Sequence, residues 1–438
     1  MNNNQKNVLV FPCPVYPALQ VIDCLKHCLQ VHVIAGASYS NHAEFICDDT
    51  ISDMPFINDE GFLGYLCQLI RERSIDLIIP TDDTTALFFS EHANEIPATV
   101  VCSPYETSQL CRMKSLTYRY LKGNDYVPVT YEPDEIDRIR EYPVFIKPDV
   151  GAGSRGAMKI SSLDQLKNVK DLEQYVICEY LPGEEYTIDC FTNKNRELVF
   201  ANPRVRTRLV SGKTARGHNV ELTDEMRSIL ESLNQLIEFR GYWFAQVKQD
   251  VHGRLKLLEI CTRFSGSFVF SKSKGVNLPL LSVCDLSGIP ADVVENDYVV
   301  ECDKSYIDRI RIDYSYDHVY IDFDDTVTLE RGKIVNPYVM AFLYQCKAKK
   351  VKISLITRHR FSYKEDINTA FKRLCISRDL FDEIIELSFD EMKSDRMTDR
   401  EHSIFLDNSF KERKEIHDRL GIPVFDLCNI DALFDWRV

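Results

Sequence analysis

The sequence predicts a chain of mixed α/β and α+β class, built from three successive domains. Three observations carry that expectation. Short apolar strands alternate with helical stretches over the first hundred residues. A glycine-rich loop follows a strand near residue 150 and is succeeded by long strand pairs. A buried strand near residue 320 ends in two aspartates spaced by one residue. The chain has 438 residues, room for several domains, and is 45% hydrophobic, enough to give each a core.

The N-terminal stretch reads as a small parallel α/β domain. NVLVF, VHVIAG, IDLIIP and ATVVCS are short runs rich in β-branched residues, separated by segments long enough for helices. Such alternation builds a parallel sheet with helices on its faces. No G-x-G-x-x-G follows the first run, so a dinucleotide site is not expected. The opening apolar run lacks a basic start and is broken by Pro12, Pro14 and Pro17, so it reads as a first strand and not as a signal peptide. Cys24 and Cys28 share a helix face, but no second ligand pair follows them, which argues against a metal site.

The middle stretch begins with YPVFIKPDVGAGSRGAMKI, residues 142–160: a strand carrying Lys147 inward, a turn at Pro148, then Gly151, Gly153 and Gly156. Glycines let a backbone fold over an anion and present its N–H groups. Lys147 would add a point charge for nucleotide phosphates. A plain hairpin turn is the other reading; a Walker loop is excluded because no G-K-[ST] closes it. VICEYLPGEEYTID, residues 176–189, is a strand, a hinge at Pro182-Gly183 and a second strand. GYWFAQVKQDVHGRLKLLEICTRFSGS, residues 241–267, is a strand pair around a turn at His252-Gly253, which sets Gln246 beside Glu259.

Together these motifs resemble the ATP-grasp superfamily, most closely the carbamoyl-phosphate synthase large-subunit-like ligases, from residue 7 to the neighbourhood of residue 300. The resemblance implies a pre-ATP-grasp α/β domain over residues 1–112 and an ATP-grasp domain over 113–312. It implies that Lys114 and Lys147 contact ATP phosphates, and that residues 151–156, with Gly151, Gly153, Ser154 and Gly156, form the lid loop. Glu179 and the backbone of Leu181 would hold the adenine edge, and Glu185 the ribose hydroxyls. Gln246 and Glu259 would bind magnesium, Arg263 would face the transferred phosphate, and Arg206 would contact the acceptor acid or its acyl phosphate. The chain departs from the family at Cys261, where Glu-x-Asn-x-Arg is usual and Glu259-Ile-Cys261-Thr-Arg263 is found. Magnesium prefers oxygen ligands. A thiol is a poor substitute, and Thr262 would leave the strand on its other face.

The last stretch opens on VYIDFDDTV, a strand running into Asp322, Asp324 and Thr326. Alternate residues at a strand end share a side, so the two carboxylates can share one site with a divalent cation. Asp322 can then attack phosphorus while Asp324 protonates the leaving oxygen. A solvated acidic turn or a calcium loop is the other reading; an EF-hand would require Gly where Val327 stands. ISLITRHR ends a second strand at Thr357, and SIFLDNSFKER ends a third at Asp407, with Lys393 between them. This order resembles the haloacid dehalogenase-like (HAD) phosphatases over residues 313–438. It implies a Rossmannoid α/β domain in which Asp322 is the nucleophile, Asp324 the general acid/base and Thr357 the phosphoryl-holding hydroxyl. Lys393 would steady the charge, with Lys364 a second candidate. Asp322, Asp324 and Asp407 would hold magnesium. Asn408 stands where the family often has another acid. The intervals from Thr326 to Ile353 and from Thr357 to Lys393 are too short for a large cap. An open site suits a bulky substrate, or one covered by the neighbouring domain.

A net charge of −14 argues against non-specific nucleic-acid binding. No apolar stretch is long enough for a membrane span. Fifteen scattered cysteines without C-x-x-C pairs fit a reducing cytoplasm. The expectation is a bifunctional enzyme using ATP and Mg2+. One site would join a small carboxylic acid to an amine through an acyl phosphate, and the other would hydrolyse a phosphate monoester, with sequential use of the two suggested by their fusion. A homo-oligomer is compatible with this reading. The alternatives are an ATP-grasp small-molecule kinase, or a nucleotide-binding pseudo-enzyme with a phosphate-binding module, to which Cys261 and Asn408 point.

Overall fold

The computed structural model describes residues 5–151, 153–305 and 308–434. The chain forms two compact units: residues 1–271, 278–293 and 303–306 in the larger, and residues 272–277, 294–302 and 307–438 in the smaller.

The larger unit starts with a five-stranded parallel sheet in the order Thr50–Ile51, Val31–Gly36, Lys6–Phe11, Leu77–Pro80, Thr99–Val100. These strands correspond to the four β-branched runs, with one short addition at the edge. Leu9, Phe11, Ile34 and Ile78 pack on Phe62, Leu66 and Phe89 of the covering helices. Helix Asp83–Glu91 begins three residues beyond the Leu77–Pro80 strand. The Asp82 side chain caps it, accepting from the Thr85 N–H at 2.8 Å. Asp83 therefore stands in a first turn, where the helix dipole favours a carboxylate.

Beyond it, a four-stranded antiparallel sheet runs in the order Thr130–Tyr131, Tyr175–Glu179, Val144–Pro148, Met158–Ile160. A larger antiparallel sheet contains Leu255–Cys261, Gly241–Gln249, Glu185–Thr192, Leu198–Val210 and Lys213–Asn219 as neighbours in that order. Helix Asp224–Leu236 covers it. Its buried Met226, Ile229, Leu230 and Leu233 keep helical spacing, and Thr223 caps its start. They pack on Trp243, whose ring stacks on Phe239 with centroids 3.9 Å apart. Full burial of each such aliphatic side chain is worth about 1.5–3 kcal/mol.

One polar network lies wholly inside this sheet. Arg204 and Asp189 are both fully buried, and Arg204 Nη1 lies 2.7 Å from Asp189 Oδ2. Arg204 also donates to Ser265 and Ser267, while Asp189 accepts from Tyr242 and Ser271. A buried pair is tolerated when its remaining lone pairs and protons are matched in this way. The network ties the segment after Arg263 to the strands beneath it.

The smaller unit is a five-stranded, all-parallel sheet in the order Glu383–Glu386, Lys352–Thr357, His318–Ile321, Ser403–Leu406, Val424–Phe425. Its central strands are buried on both faces, which explains their unbroken apolar runs. Ile321 is in register with both Leu355 and Leu406. Asp322 and Asp407, each the next residue, thus emerge from the same edge of the sheet. The strand stops at Ile321, one residue before Asp322, and the chain then turns sharply, with Asp325 at φ 54°. All fifteen cysteines are free thiols. Among the described residues, no helix is long and apolar enough to cross a membrane.

Candidate active sites

Lys147, the last residue but one of the Val144–Pro148 strand, is almost fully buried. Its Nζ donates to Tyr118 Oη at 2.6 Å and to the Leu258 carbonyl at 2.7 Å. Burial pulls this ammonium below the usual lysine range. Lys114 opens helix Lys114–Tyr120, one turn before Tyr118, and its Nζ reaches the carbonyls of Asp149 and Gly151 at 3.3 and 3.4 Å. Asp149 clamps the same helix, accepting from Ser115 N and Oγ, both at 2.7 Å. Lys114 thus reaches the start of the glycine-rich loop, while Lys147 is tied to the Lys114 helix through Tyr118. Gly151, Gly153, Ser154 and Gly156 lie on that loop, with positive φ at the last three; Ala152 lies outside the described residues. A Cβ on Gly212 would stand 2.2 Å from the Gly153 carbonyl, so the loop and the 210–213 turn approach backbone to backbone.

Gln246 and Glu259 are register partners on neighbouring strands. Both offer oxygen, the donor magnesium prefers. Among the described residues, no group of three or more His, Cys, Asp or Glu side chains is arranged as a metal site. Cys261 is enclosed at the end of the same strand. Burial, with Asp83 and Glu259 nearby, raises its thiol far above the usual range, so it stands there as a neutral SH group. Arg263 does not stand open. Its Nε and Nη2 grip Asp83 Oδ1 and Oδ2 at 3.1 and 3.0 Å, and the guanidinium lies over the Phe244 ring. Burial works to raise Asp83; Arg263 overrides it and holds the carboxyl below its usual range.

Arg206 is also engaged. It pairs with Glu185 and donates to the Gly212 carbonyl at 2.6 Å, while Lys248 lies 3.8 Å from the same Glu185. The residue expected at the acceptor acid thus adjoins the residue expected at the ribose. Glu179 closes strand Tyr175–Glu179 with its Oε1 accepting from the Val129 N–H at 2.9 Å. Leu181, just past it, is buried.

In the smaller unit Lys393 lies between two carboxylates. Its Nζ donates to Asp322 Oδ1 at 2.5 Å and Asp407 Oδ2 at 2.6 Å, and all three side chains are buried. Lys364 is exposed at the end of helix His359–Tyr363 and takes no part. Burial pushes Asp322 up to about 8, Lys393 opposes this, and Asp407 adds to it. The oxygens of Asp322 and Asp407 are the donor type that a divalent cation such as magnesium prefers. Thr357 ends its strand buried, its Oγ1 accepting from the His359 N–H at 3.0 Å. Asn408 pairs with Thr326, its N–H donating to Thr326 Oγ1 at 3.0 Å. Asp324 is held by a residue absent from the sequence reading: His359 Nδ1 lies 2.7 Å from Asp324 Oδ1, and its Nε2 lies 3.2 Å from Glu365.

Residues 171–306 match a family model described as ATP-grasp in the biosynthetic pathway with Ter operon. The N5-carboxyaminoimidazole synthetase of Staphylococcus aureus, solved with ADP, superposes with a TM-score of 0.58 at 17% identity, over 69% of this chain and 84% of that one. This chain carries an ATP-grasp fold. The biotin carboxylase domain of Hydrogenobacter thermophilus 2-oxoglutarate carboxylase, solved with MgADP and bicarbonate, gives a TM-score of 0.56 at 16% identity, over 68% of this chain and 74% of that one. A D-alanine–D-alanine ligase of Bacteroides fragilis is 22% identical over 187 residues, 38% of this chain. That match spans 56% of the relative's length, so the chain covers about half of the curated relatives it resembles. Within the ATP-grasp fold, the sequence reading missed Asp83, Tyr118 and Asp149. Tyr118 had a usable signal, since it follows Lys114 by one helical turn.

Proposed function

We propose that the chain is an ATP-dependent carboxylate–amine ligase of the carbamoyl-phosphate synthase-like subgroup, and that residues 313–438 form a HAD-like phosphatase. In the ligase, Lys114 and Lys147 bind ATP phosphates under the loop bearing Gly151, Gly153, Ser154 and Gly156. Glu179 and the Leu181 backbone take the adenine, and Glu185, turned from Arg206, takes the ribose. The single observation that carries this reading is the register of Gln246 with Glu259 on neighbouring strands, with Arg263 two residues beyond the end of the second strand. Magnesium held by these two oxygens would neutralise the triphosphate. Arg263 offsets the charge that grows as the γ-phosphoryl passes to a substrate carboxylate, and Arg206 is near enough to the loop to hold that acid. An amine then displaces phosphate to give the amide.

Lys393 between Asp322 and Asp407 carries the phosphatase reading. Asp322 Oδ2 takes no part in those bonds, and in this reading it attacks phosphorus. Thr357, whose oxygen already accepts from a backbone N–H, donates its proton to a phosphoryl oxygen. Asp324 protonates the leaving alcohol, then takes a proton from the water that splits the aspartyl-phosphate. Magnesium at Asp322, Asp324 and Asp407 would supply Lewis-acid charge.

Purified protein should release ADP only with a matching acid and amine. Lys147→Ala should weaken ATP binding, and Glu259→Gln should lower turnover on the order of a hundredfold. Asp322→Asn should abolish phosphate ester hydrolysis and leave ADP release unchanged. ADP release unaltered in both ligase variants, or hydrolysis surviving in Asp322→Asn, would remove the corresponding half of the reading. A stable phosphate ester in place of an amide would indicate a kinase.

A further inference from the structure

The strands that carry Gln246 and Glu259 belong to a continuous polar row across the large sheet. Glu259 faces Gln246, Gln246 faces Thr187, Thr187 faces Arg204, and Arg204 faces Asn219. Register partners project from the same face of a sheet, so these five side chains stand on one side. The other side carries Ile188, Ala245, Val247 and Ile260, which join Ile229, Leu230 and Leu233 of helix Asp224–Leu236 in the apolar core.

One member of the row is unmatched. Thr187 is 2% exposed, and its Oγ1 has no hydrogen-bond partner among the described residues. Arg204, on one side of it, carries donors only and is committed to Asp189, Ser265 and Ser267. Gln246, on the other side, is half-buried and so reaches the open part of the face. A buried polar group left unmatched calls for a physical reason, such as a neighbour that turns toward it when an ion binds.

Gln246 supplies that reason. A carboxylate offers oxygen whichever way it turns, whereas an amide has an oxygen at one end and two donors at the other. Only Oε1 can serve magnesium; the opposite orientation would set N–H groups against a cation. With Oε1 at the metal, Nε2 needs an acceptor. Thr187 Oγ1 is the hydroxyl directly across the ladder, where partner Cβ atoms stand about 4.5–5.5 Å apart, within reach of a glutamine side chain.

We infer that Thr187 is a positioning residue for the magnesium site: its Oγ1 accepts from Gln246 Nε2 and so turns Gln246 Oε1 toward the cation. This rests on the ligase reading and adds the group that orients one of its two metal-binding side chains.

The test is calorimetry of ATP binding to the full chain across a series of magnesium concentrations, which needs neither acid nor amine. Thr187→Val keeps the shape and removes the acceptor. It should raise the magnesium concentration at half-maximal ATP binding about tenfold, the usual scale for losing a group that orients a metal ligand. Thr187→Ser should restore the parent value. In a Gln246→Glu background, where either end of the side chain is oxygen, Thr187→Val should leave the magnesium requirement unchanged. Thermal melting should show no loss of stability in Thr187→Val, since the hydroxyl it removes is unmatched; Thr187→Ala serves in its place if the valine variant melts early. An unchanged magnesium requirement in Thr187→Val would overturn the inference. So would equal shifts in the two backgrounds, which would assign Thr187 to packing. Either result leaves the ligase reading standing if Gln246→Ala itself raises the magnesium requirement. No effect of Gln246→Ala would overturn the magnesium assignment and the inference together.

Discussion

His359 Nδ1 and Asp324 Oδ1 lie 2.7 Å apart, and the histidine ring is 1% exposed. Glu365 braces the other ring nitrogen, and Arg373 in turn holds Glu365 at 2.8 Å. The proposed proton donor is thus aimed by a chain of side chains that reaches the surface.

His359→Ala should lower kcat for ester hydrolysis on the order of 10–100-fold, because Asp324 loses its orientation and general acid help is worth about 10²–10⁴-fold. KM should change little. His359→Asn keeps a donor near Nδ1 and should recover part of the loss. Steady-state kinetics of the three proteins check this.

Asp83→Asn should impair the ligase although Asp83 opens a helix over the N-terminal sheet. The variant breaks a two-point charged contact with Arg263. Hydrogen bonds to charged groups are worth about 1.5–3 kcal/mol, which corresponds to a fall of about 10–150-fold. Turnover should drop while ATP affinity, measured by calorimetry, stays near that of the parent.

Cys261→Asn should lower the magnesium concentration needed for half-maximal ADP release. The parent thiol is neutral and soft, whereas an amide offers the oxygen that magnesium prefers. A magnesium titration of both proteins checks this, with thermal melting to show that packing is kept.

His318 should make the smaller unit acid-sensitive. Burial lowers its pKa, Lys352 adds to this, and Asp399 and Glu383 oppose it. A histidine depressed below its unfolded value of about 6.5 stabilises the fold above that pH and loses this contribution as pH falls through the folded value. The unfolding temperature of the smaller unit should therefore decline from pH 7 toward pH 5. His318→Gln should flatten the decline, as followed by calorimetry.

The elements that sequence reading located are those with local causes. Gln246 met Glu259 because a turn at His252-Gly253 sets the register of its own hairpin. Lys393 fell between Asp322 and Asp407 because three parallel strands end at one edge, and each strand was visible as an apolar run. What escaped notice has distant causes. Asp83 and Arg263 are brought together by packing between separate layers, which no local period encodes. Arg204 stands close to other arginines in sequence, yet it is fully buried because Asp189 and two serines, Ser265 and Ser267, complete its bonds. Arg206, two residues on and expected to contact the acceptor acid, also meets Glu185, because both project from neighbouring strands. His359 followed Thr357 without any motif to mark it.

Asp322, Thr357 and Asp407 close three adjacent strands of one parallel sheet. Strands in a ladder stand about 4.8 Å apart, so the roots of these side chains span about 10 Å. The gauge of the gap between them is therefore set by backbone hydrogen bonds and not by the side chains packed beneath it. Core substitutions can weaken the sheet without widening the gap, and residues at its mouth can be exchanged while the spacing between Asp322 and Asp407 stays constant.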